Sequence, residues 1–300
     1  MLVIDCHAHI YSPDEKRYQP KDRPLRPPPG MGSVEHLRKQ SLAAGVTAVR
    51  AIQTVSFYGY DNRYLCDSAK ANPGWVAGVC TLDPDDPHSP GLLRQFARDY
   101  GIRSLRSVPS SARKTGFDDP GVRALWKVAV EEGITIDLFL MKLELAESAA
   151  SLLRDFPQLT VGFCHCMDLK PGPLLEPGLK AVRQLARFKN LYAKVDFIGT
   201  GATLPYPCPD LHPACLQVIE TYGPERCLWG SCYPCELWTP KISYAEHLRI
   251  FTEALPLKEE ARRLIAGENA RRLWFPQLKG VGYTQAAEVQ AAVERTSAWG

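Results

Sequence analysis

Short apolar runs alternate with longer amphipathic stretches from one end of the chain to the other. Short runs of apolar and β-branched residues, bounded by turn residues, are typical of buried strands. On this basis we predict strands over residues 2–7, 46–55, 75–82, 102–108, 134–140, 159–166, 191–197 and 227–232.

Helical periodicity fills the intervals between these strands. The pattern over 33–44 has Ser33 in the N-cap position and Gly45 just beyond its end, and the pattern over 121–132 is closed by Gly133. About eight strand–helix repeats predict an α/β fold, the (β/α)8 TIM barrel, whose catalytic groups lie at the carboxyl ends of the strands. A doubly wound sheet is the competing architecture, but no glycine-rich phosphate turn follows the first strand.

Two segments lie outside the repeat. The single barrel domain is predicted over 1–276, with a proline-rich loop inserted at 11–32. This loop is long for a simple connection, so it is a candidate lid or a subunit contact in a homo-oligomer; an ordered surface excursion is the alternative. Residues 277–300 are predicted to form a tail with a helical pattern over 284–298, packed on the barrel or on a neighbouring copy.

Composition and charge narrow the function classes. Of the 300 residues, 45% are hydrophobic and 23% are charged, which suits a chain with a substantial core. The formal net charge of +3 gives no electrostatic argument for a nucleic-acid partner. Because no apolar run reaches membrane-spanning length and no leader pattern follows Met1, we expect a cytoplasmic protein without a membrane partner. There, the ten cysteines are expected to be mostly buried thiols.

Two histidines end the first predicted strand, in the segment DCHAH at residues 5–9. Successive strand side chains alternate between faces, so His7 and His9 point together while Cys6 and Ala8 point away. Such a pair can begin a metal site or an acid/base cluster. For a bare His-x-His pair, the alternative is two polar residues that leave a strand for a loop.

The same alternation supplies further candidates at the other strand ends. The side chains that it places inside the mouth of the predicted barrel are Gln53, Arg106, Asp137, Phe139, His165, Lys194, Asp196 and Cys232. Singly, Lys194 or Asp196 is more often part of a structural ion pair than a catalyst. As a set, however, imidazoles from strands one and six and a thiol from strand eight converge where barrel enzymes build their sites.

Six segments form an ordered set of motifs along the chain. They are IDCHAH at 4–9, QTVSFYGYDN at 53–62, GIRSLR at 101–106, the histidine segment at 156–165, ERCLWGSCYP at 225–234 and GENARRL at 267–273. In this order they resemble the second amidohydrolase family, which includes metal-dependent decarboxylases and hydrolases together with pyrone-dicarboxylate and sugar-acid lactonases. The second and third segments resemble the lactonase branch. The resemblance implies a TIM-barrel hydrolase.

Two positions depart from the family pattern. Where the family carries an eighth-strand aspartate, which serves as metal ligand and as the base that activates water, this chain has Cys232. Where the metal-dependent decarboxylases carry a fifth-strand histidine ligand, 134–140 contains none. The lactonase branch also lacks that histidine, and some of its members work without metal. The resemblance therefore leaves a metal-dependent and a metal-independent site open.

Cys232 itself has three interpretations. As a thiolate it would ligate zinc together with His7 and His9, with His165 as fourth ligand or as acid/base. If neighbouring imidazolium lowers its pKa, it would attack an acyl carbon directly. In the third interpretation, loss of the aspartate leaves a binding protein, because a neutral thiol is a poorer base than a tuned carboxylate.

The leading hypothesis is lactone or ester hydrolysis in a small carboxylated or polyhydroxylated substrate, an anion by preference. His7, His9 and Cys232 would hold zinc or the electrophilic carbonyl, and His165 would transfer a proton or stabilise the oxyanion. Arg106 would bind a substrate carboxylate. Further substrate contacts are predicted at Gln53, Tyr58, Lys194 and Asp196. Decarboxylation or another carbon–carbon cleavage, and a non-catalytic ligand-binding barrel, are the alternatives.

Overall fold

A computed structural model describes residues 1–112 and 115–278. Eight parallel strands form one sheet, in which each strand pairs with the next along the chain. The strands are β1 (Ile4–His9), β2 (Ala48–Ile52), β3 (Val76–Thr81), β4 (Ser104–Ser107), β5 (Thr135–Leu138), β6 (Val161–Phe163), β7 (Leu191–Lys194) and β8 (Cys227–Leu228). The predicted (β/α)8 barrel is confirmed.

Backbone hydrogen bonds close the barrel between β1 and the segment that follows β8. Cys6 N donates to Trp229 O at 3.1 Å. Cys232 N donates to His7 O at 2.8 Å. This second bond fixes the backbone of Cys232 beside the end of β1, the strand that carries His7 and His9.

Helices cover the outside of the barrel. In chain order they are α1 (Val34–Ala43), α2 (Val55–Tyr58), α3 (Arg63–Ala71), α4 (Ser89–Tyr100), α5 (Pro120–Glu132), α6 (Ala146–Asp155), α7 (Leu175–Leu185), α8 (Phe197–Gly201), α9 (His212–Tyr222), α10 (Cys235–Trp238), α11 (Tyr244–Arg249), α12 (Glu259–Arg263) and α13 (Asn269–Trp274). Ser33 caps α1 as predicted, since its side chain accepts a hydrogen bond from His36 N. Gly133 ends α5 in the left-handed conformation, with φ 63°.

Seven of the eight strands end earlier than predicted, and beyond the ends of β6 and β8 the chain passes through residues in the left-handed conformation. The predicted strand 159–166 stops at Phe163, and the next residues include four with positive φ, from His165 (53°) to Asp168 (53°). The predicted strand 227–232 stops at Leu228, and Cys232 has φ 54°. A non-glycine residue seldom adopts positive φ, so hydrophobic patterning does not predict these turns.

The 11–32 segment packs against the barrel through aromatic side chains. Tyr11 N donates to Gly32 O at 2.9 Å, which joins the two ends of the segment. Tyr11 and Tyr18 form a small apolar cluster with Phe57 and Tyr58 of α2. The segment is therefore ordered against α2, beside the carboxyl end of β2.

The predicted tail helix over 284–298 lies outside the described residues. The description ends with a short 3-10 turn, Pro276–Leu278, whose last side chain is buried against the first strand's apolar cluster. Within residues 1–112 and 115–278, no helix combines the length and the apolar character that a bilayer crossing requires.

An ion cluster fills part of the barrel interior. The fully buried carboxylate of Asp137 accepts hydrogen bonds from Arg50 Nη2 at 2.9 Å and Nη1 at 3.2 Å, and also from Lys194 Nζ. Lys194 donates as well to Cys6 O at 3.1 Å. Burial opposes ionisation of Asp137, but the charges of Arg50 and Lys194 outweigh it and hold the pKa of that carboxyl below its usual value. The cluster links four strands from within.

We expect replacement of Asp137 by asparagine to lower the free energy of unfolding by about 3–5 kcal/mol, because two buried cations would lose their anionic partner. Urea denaturation measures the loss. The matched control is Glu131→Gln, which removes an exposed partner of Arg94 and should cost less than about 1 kcal/mol. Equal losses in the two variants would show that the buried cluster contributes little.

Candidate active site

A cavity of about 480 Å³ opens at the carboxyl ends of the strands. Barrel enzymes build their sites at this face. The residues that line the cavity are His9, Thr54, Val55, Ser56, Arg106, Val108, Phe139, Met141, His165, Asp168, Lys170, Thr200, Cys232 and Trp238. Four predicted site residues, His9, Arg106, His165 and Cys232, therefore share one cavity.

His7 and His9 meet at the base of this cavity, with their Nε2 atoms 3.2 Å apart. His9 Nδ1 lies 3.0 Å from the carbonyl oxygen of Ile52, which can only accept, so Nδ1 carries the hydrogen. Burial, reinforced by nearby positive charges, lowers the pKa of both imidazoles well below the usual value. Both rings are thus neutral at pH 7. His9 Nε2 then accepts from His7 Nε2, which leaves His7 Nδ1 with a lone pair.

That lone pair faces a buried carboxylate. His7 Nδ1 lies 3.6 Å from Asp196 Oδ2, and neither atom has a hydrogen-bond partner among the described residues. Gly230 allows this approach, because a Cβ at that position would lie 2.7 Å from His7 Cβ and 3.4 Å from Asp196 Oδ2. Buried polar atoms are normally satisfied. Two acceptors that face each other without a donor mark a position for a cation or a proton.

His165 approaches the same carboxylate from the left-handed turn after β6. Its backbone N donates to Asp196 Oδ1 at 3.1 Å, and its ring Nδ1 lies 3.3 Å from that oxygen. The rings of His165 and His7 are 4.4 Å apart, centroid to centroid. The turn therefore brings two imidazoles onto one carboxylate.

Among the described residues, His7, His165 and Asp196 form a cluster that could hold a metal ion: each offers one ligand atom, and these atoms lie within 4.8 Å of one another. Two imidazole nitrogens and one carboxylate oxygen are donors that zinc accepts. With the two unpartnered atoms between them, these residues fit a divalent metal. This trio differs from the predicted set of His7, His9 and Cys232, because His9 Nε2 is engaged by His7 and Asp196 takes the third place.

Cys232 lies on the other side of His165. Its Sγ is 3.7 Å from His165 Nδ1, the same ring nitrogen that Asp196 approaches. Burial raises the pKa of the Cys232 thiol well above its usual value, and the negative charges of Asp196 and Asp5 raise it further. Without a bound metal, this group is therefore a neutral thiol.

Arg106 forms the cationic side of the cavity. Its side chain is buried, its Nε donates to Thr81 Oγ1 at 3.2 Å, and its guanidinium lies over the ring of Phe139, 5.0 Å from the centroid. Burial lowers the pKa of the guanidinium. No carboxylate within residues 1–112 and 115–278 lies at ion-pair distance from it.

Three predicted substrate contacts lie behind the cavity wall. Gln53 donates to the backbone oxygens of Gly59 and Asp61 at 2.7 and 3.0 Å, and the Tyr58 hydroxyl accepts from Ser12 N at 2.6 Å. Lys194 is fully buried in the Asp137 cluster described above. The structure assigns these three side chains to local or interior hydrogen bonds, because the chain bends away from the cavity after β2 and because Lys194 points below the strand ends.

Sequence reasoning missed part of the cavity wall. Trp238 packs against His9, with the ring centroids 5.5 Å apart, and Met141 and Thr54 also line the cavity. Lys170 pairs with Asp168 at 2.6 Å at the rim. Thr54, Met141 and Lys170 lie on loops and Trp238 ends the four-residue helix α10, so no periodic pattern indicates that these side chains turn inward.

Comparison with known proteins agrees with this architecture. Residues 4–275 match the family model described as Amidohydrolase. The L-fucono-1,5-lactonase of Burkholderia ambifaria is 26% identical over 183 residues, which cover 58% of this chain and 60% of the lactonase. The chain thus aligns with less than two thirds of that relative.

Two solved structures show the same fold. A protein assigned as a 2-pyrone-4,6-dicarboxylic acid hydrolase of Pseudomonas putida superposes with a TM-score of 0.73 at 23% identity, covering 91% of this chain and 97% of that one. A zinc-bound amidohydrolase of Burkholderia multivorans superposes with a TM-score of 0.71 at 19% identity, covering 91% and 99%. On the family match, which spans nearly the whole barrel, the chain belongs to the amidohydrolase family.

Proposed function

We propose that the protein hydrolyses a small cyclic ester that carries a carboxylate. One observation carries this proposal: the buried Arg106 cation, without a carboxylate partner among the described residues, shares a cavity with His9 and His165. A buried guanidinium is costly unless it is paired, and its planar fork suits a carboxylate. A substrate carboxylate would supply the missing partner.

The cavity walls favour a flat, apolar ring over a polyhydroxylated one. Val55, Val108, Phe139, Met141 and Trp238 supply most of the wall between Arg106 and the strand ends. A sugar ring needs a hydrogen-bond partner for each hydroxyl that it buries, whereas an unsaturated ring packs on aliphatic and aromatic side chains. The lactonase and pyrone-hydrolase relatives are consistent with ester hydrolysis, and the wall composition favours the pyrone type of ring.

The arrangement can divide the work of hydrolysis among its side chains. Water adds its oxygen to the carbonyl carbon, the ring C–O bond breaks, and the proton released by the water reaches the departing oxygen. His165 Nε2, the ring nitrogen that neither Asp196 nor Cys232 contacts, is the atom that we assign to donating a hydrogen bond to the departing ring oxygen, which takes up the proton released by the water. Arg106 would orient the ring through its carboxylate.

The same proposal includes a divalent metal, zinc by preference, held by His7, His165 and Asp196. Bound there, it would supply Lewis-acid polarisation of the carbonyl. Neutral imidazoles and an ionised carboxylate are the protonation states that ligation requires. The depressed pKa of His7 keeps this ligand neutral at neutral pH.

The direct test is a hydrolysis assay with two lactones of equal ring size, a 2-pyrone carboxylate and an aldono-1,5-lactone. Ring opening is followed by proton release, and carbon dioxide is measured in parallel. We expect kcat/KM for the pyrone carboxylate to exceed that for the aldonolactone by at least about tenfold. Preference for the aldonolactone would refute the ring assignment, carbon dioxide release would indicate decarboxylation, and no turnover of either would favour a binding protein.

Replacing Arg106 by lysine should lower kcat/KM for the carboxylated lactone by about a hundredfold, because an ammonium group cannot form the bidentate pair. The decrease in kcat/KM caused by this substitution should be smaller for a lactone that lacks the carboxylate. Arg103→Lys is the matched control, since Arg103 is an exposed residue next to the same strand, and it should change kcat/KM less than twofold. Similar effects of both substitutions would remove Arg106 from substrate binding.

The thiol of Cys232 should react slowly in the folded protein. Its side chain is 1% exposed and its pKa is raised, so the reactive thiolate is scarce. In a time course with iodoacetamide at pH 7.5, we expect labelling of this residue to be more than tenfold slower than in urea-unfolded protein, as measured by peptide mass mapping. Rapid labelling confined to Cys232 would instead support the nucleophile interpretation.

A further inference from the structure

We infer that Asp196, just beyond the end of the seventh strand, supplies the carboxylate of the metal centre, and that Cys232 after the eighth strand is a neighbour rather than a ligand. The inference rests on the metal-assisted hydrolysis proposed above. It places the anionic ligand after the seventh strand, whereas the family pattern places it on the eighth.

The first argument is the position of the carboxylate. Asp196 is fully buried, and each of its oxygens approaches an imidazole: Oδ1 lies 3.3 Å from His165 Nδ1, and Oδ2 lies 3.6 Å from His7 Nδ1. Unlike Asp137, which has Arg50 and Lys194 as partners, Asp196 has no Lys or Arg within ion-pair distance in the described part of the chain. Its charge is therefore uncompensated unless a cation binds.

The second argument is the size of the gap. A bridging water, with hydrogen bonds of about 2.8 Å, would hold two acceptors roughly 4.6 Å apart, which is wider than either contact of Asp196. Ligands of a tetrahedral zinc, with bonds of about 2.0–2.2 Å, lie roughly 3.4 Å apart. The 3.3 and 3.6 Å spacings match the metal and leave too little room for water.

The third argument is the chemistry at position 232. Cys232 Sγ lies 3.7 Å from His165 Nδ1, so a carboxylate placed at 232 could reach the nitrogen that Asp196 now approaches. In this chain Cys232 is 1% exposed, and Asp196, whose Oδ1 lies 3.3 Å from that nitrogen, already supplies a carboxylate there. A second anion beside Asp196 would be repelled. One carboxylate, at position 196 or at position 232, is therefore enough to complete the ligand set.

The experiment measures zinc affinity of the metal-free full-length protein by competition with a chelating indicator. The variants are Asp196→Asn, Asp196→Ser, Cys232→Ala and the exchange Asp196→Ser with Cys232→Asp. We expect the two single Asp196 substitutions to weaken zinc binding at least a hundredfold and Cys232→Ala to weaken it less than threefold. The exchange should recover affinity to within about tenfold of wild type, because it returns a carboxylate to His165.

Several outcomes overturn the inference. A loss of zinc affinity of a hundredfold or more in Cys232→Ala would make the thiol a ligand, and this result stands even if the Asp196 variants fail to fold. An exchange variant that folds, as shown by its circular dichroism spectrum, but binds no better than Asp196→Ser would show that Asp196 does not act through this nitrogen. If the wild-type protein bound no zinc, the space between His7 Nδ1 and Asp196 Oδ2 would be assigned to a shared proton and not to a metal.

The zinc measurement also separates this inference from the proposed reaction. Tight zinc binding with the expected dependence on Asp196, but without hydrolysis of either lactone, would uphold the metal centre and refute the reaction. Lactone hydrolysis that is equally fast in metal-free wild type and in Asp196→Asn would uphold the reaction and refute the metal centre.

Discussion

The contact between the Asp196 carboxylate and the two imidazoles is the interaction on which the site depends. A carboxylate cannot be buried without compensation, because the loss of hydration costs several kcal/mol. For Asp137, the barrel interior supplies two cations, Arg50 and Lys194, so the charge of this carboxylate is compensated without a bound ligand. For Asp196 the barrel offers the backbone N–H of His165 and two imidazoles, one of which presents a lone pair. The difference separates a structural carboxylate from one that is available for a ligand.

A third buried carboxylate holds this geometry in place. Asp5 accepts hydrogen bonds from His7 N at 2.9 Å, from Ser231 N at 2.9 Å and Oγ at 2.6 Å, and from the Tyr244 hydroxyl at 2.9 Å. Burial raises the pKa of Asp5, and these hydrogen bonds oppose the rise. Because the donors come from β1, from the segment after β8 and from α11, Asp5 fixes His7 relative to the chain that carries Cys232.

The sequence predicts the barrel well because buried parallel strands are continuous apolar runs and helices carry their own caps. All eight predicted strands exist, and Ser33 and Gly133 mark helix ends as expected. Strand alternation also selects Asp196 and His165 as candidates. It fails at Lys194, because that side chain is bonded to Asp137 in the barrel interior, whereas Asp196 lies beyond the end of β7, beside His7.

The proposed metal site of His7, His165 and Asp196 could not be predicted as a set from the sequence. Its three members come from three strands, and two of them depend on chain that leaves the strand: His165 lies in a left-handed turn, and Asp196 precedes α8. The family motifs instead indicated Cys232 and Tyr58 as site residues. Tyr58 serves the 11–32 segment through Ser12, a contact that arises only when the loop folds back onto α2.

The central claim is that nitrogen and oxygen atoms, not sulfur, hold the metal. Zinc K-edge X-ray absorption of the zinc-loaded wild-type protein tests this most directly, since Zn–S and Zn–N/O shells differ in distance and scattering strength. The account predicts a first shell of nitrogen and oxygen alone, at about 2.0–2.2 Å. A sulfur shell at about 2.3 Å would contradict it and would make the Cys232 thiolate a ligand.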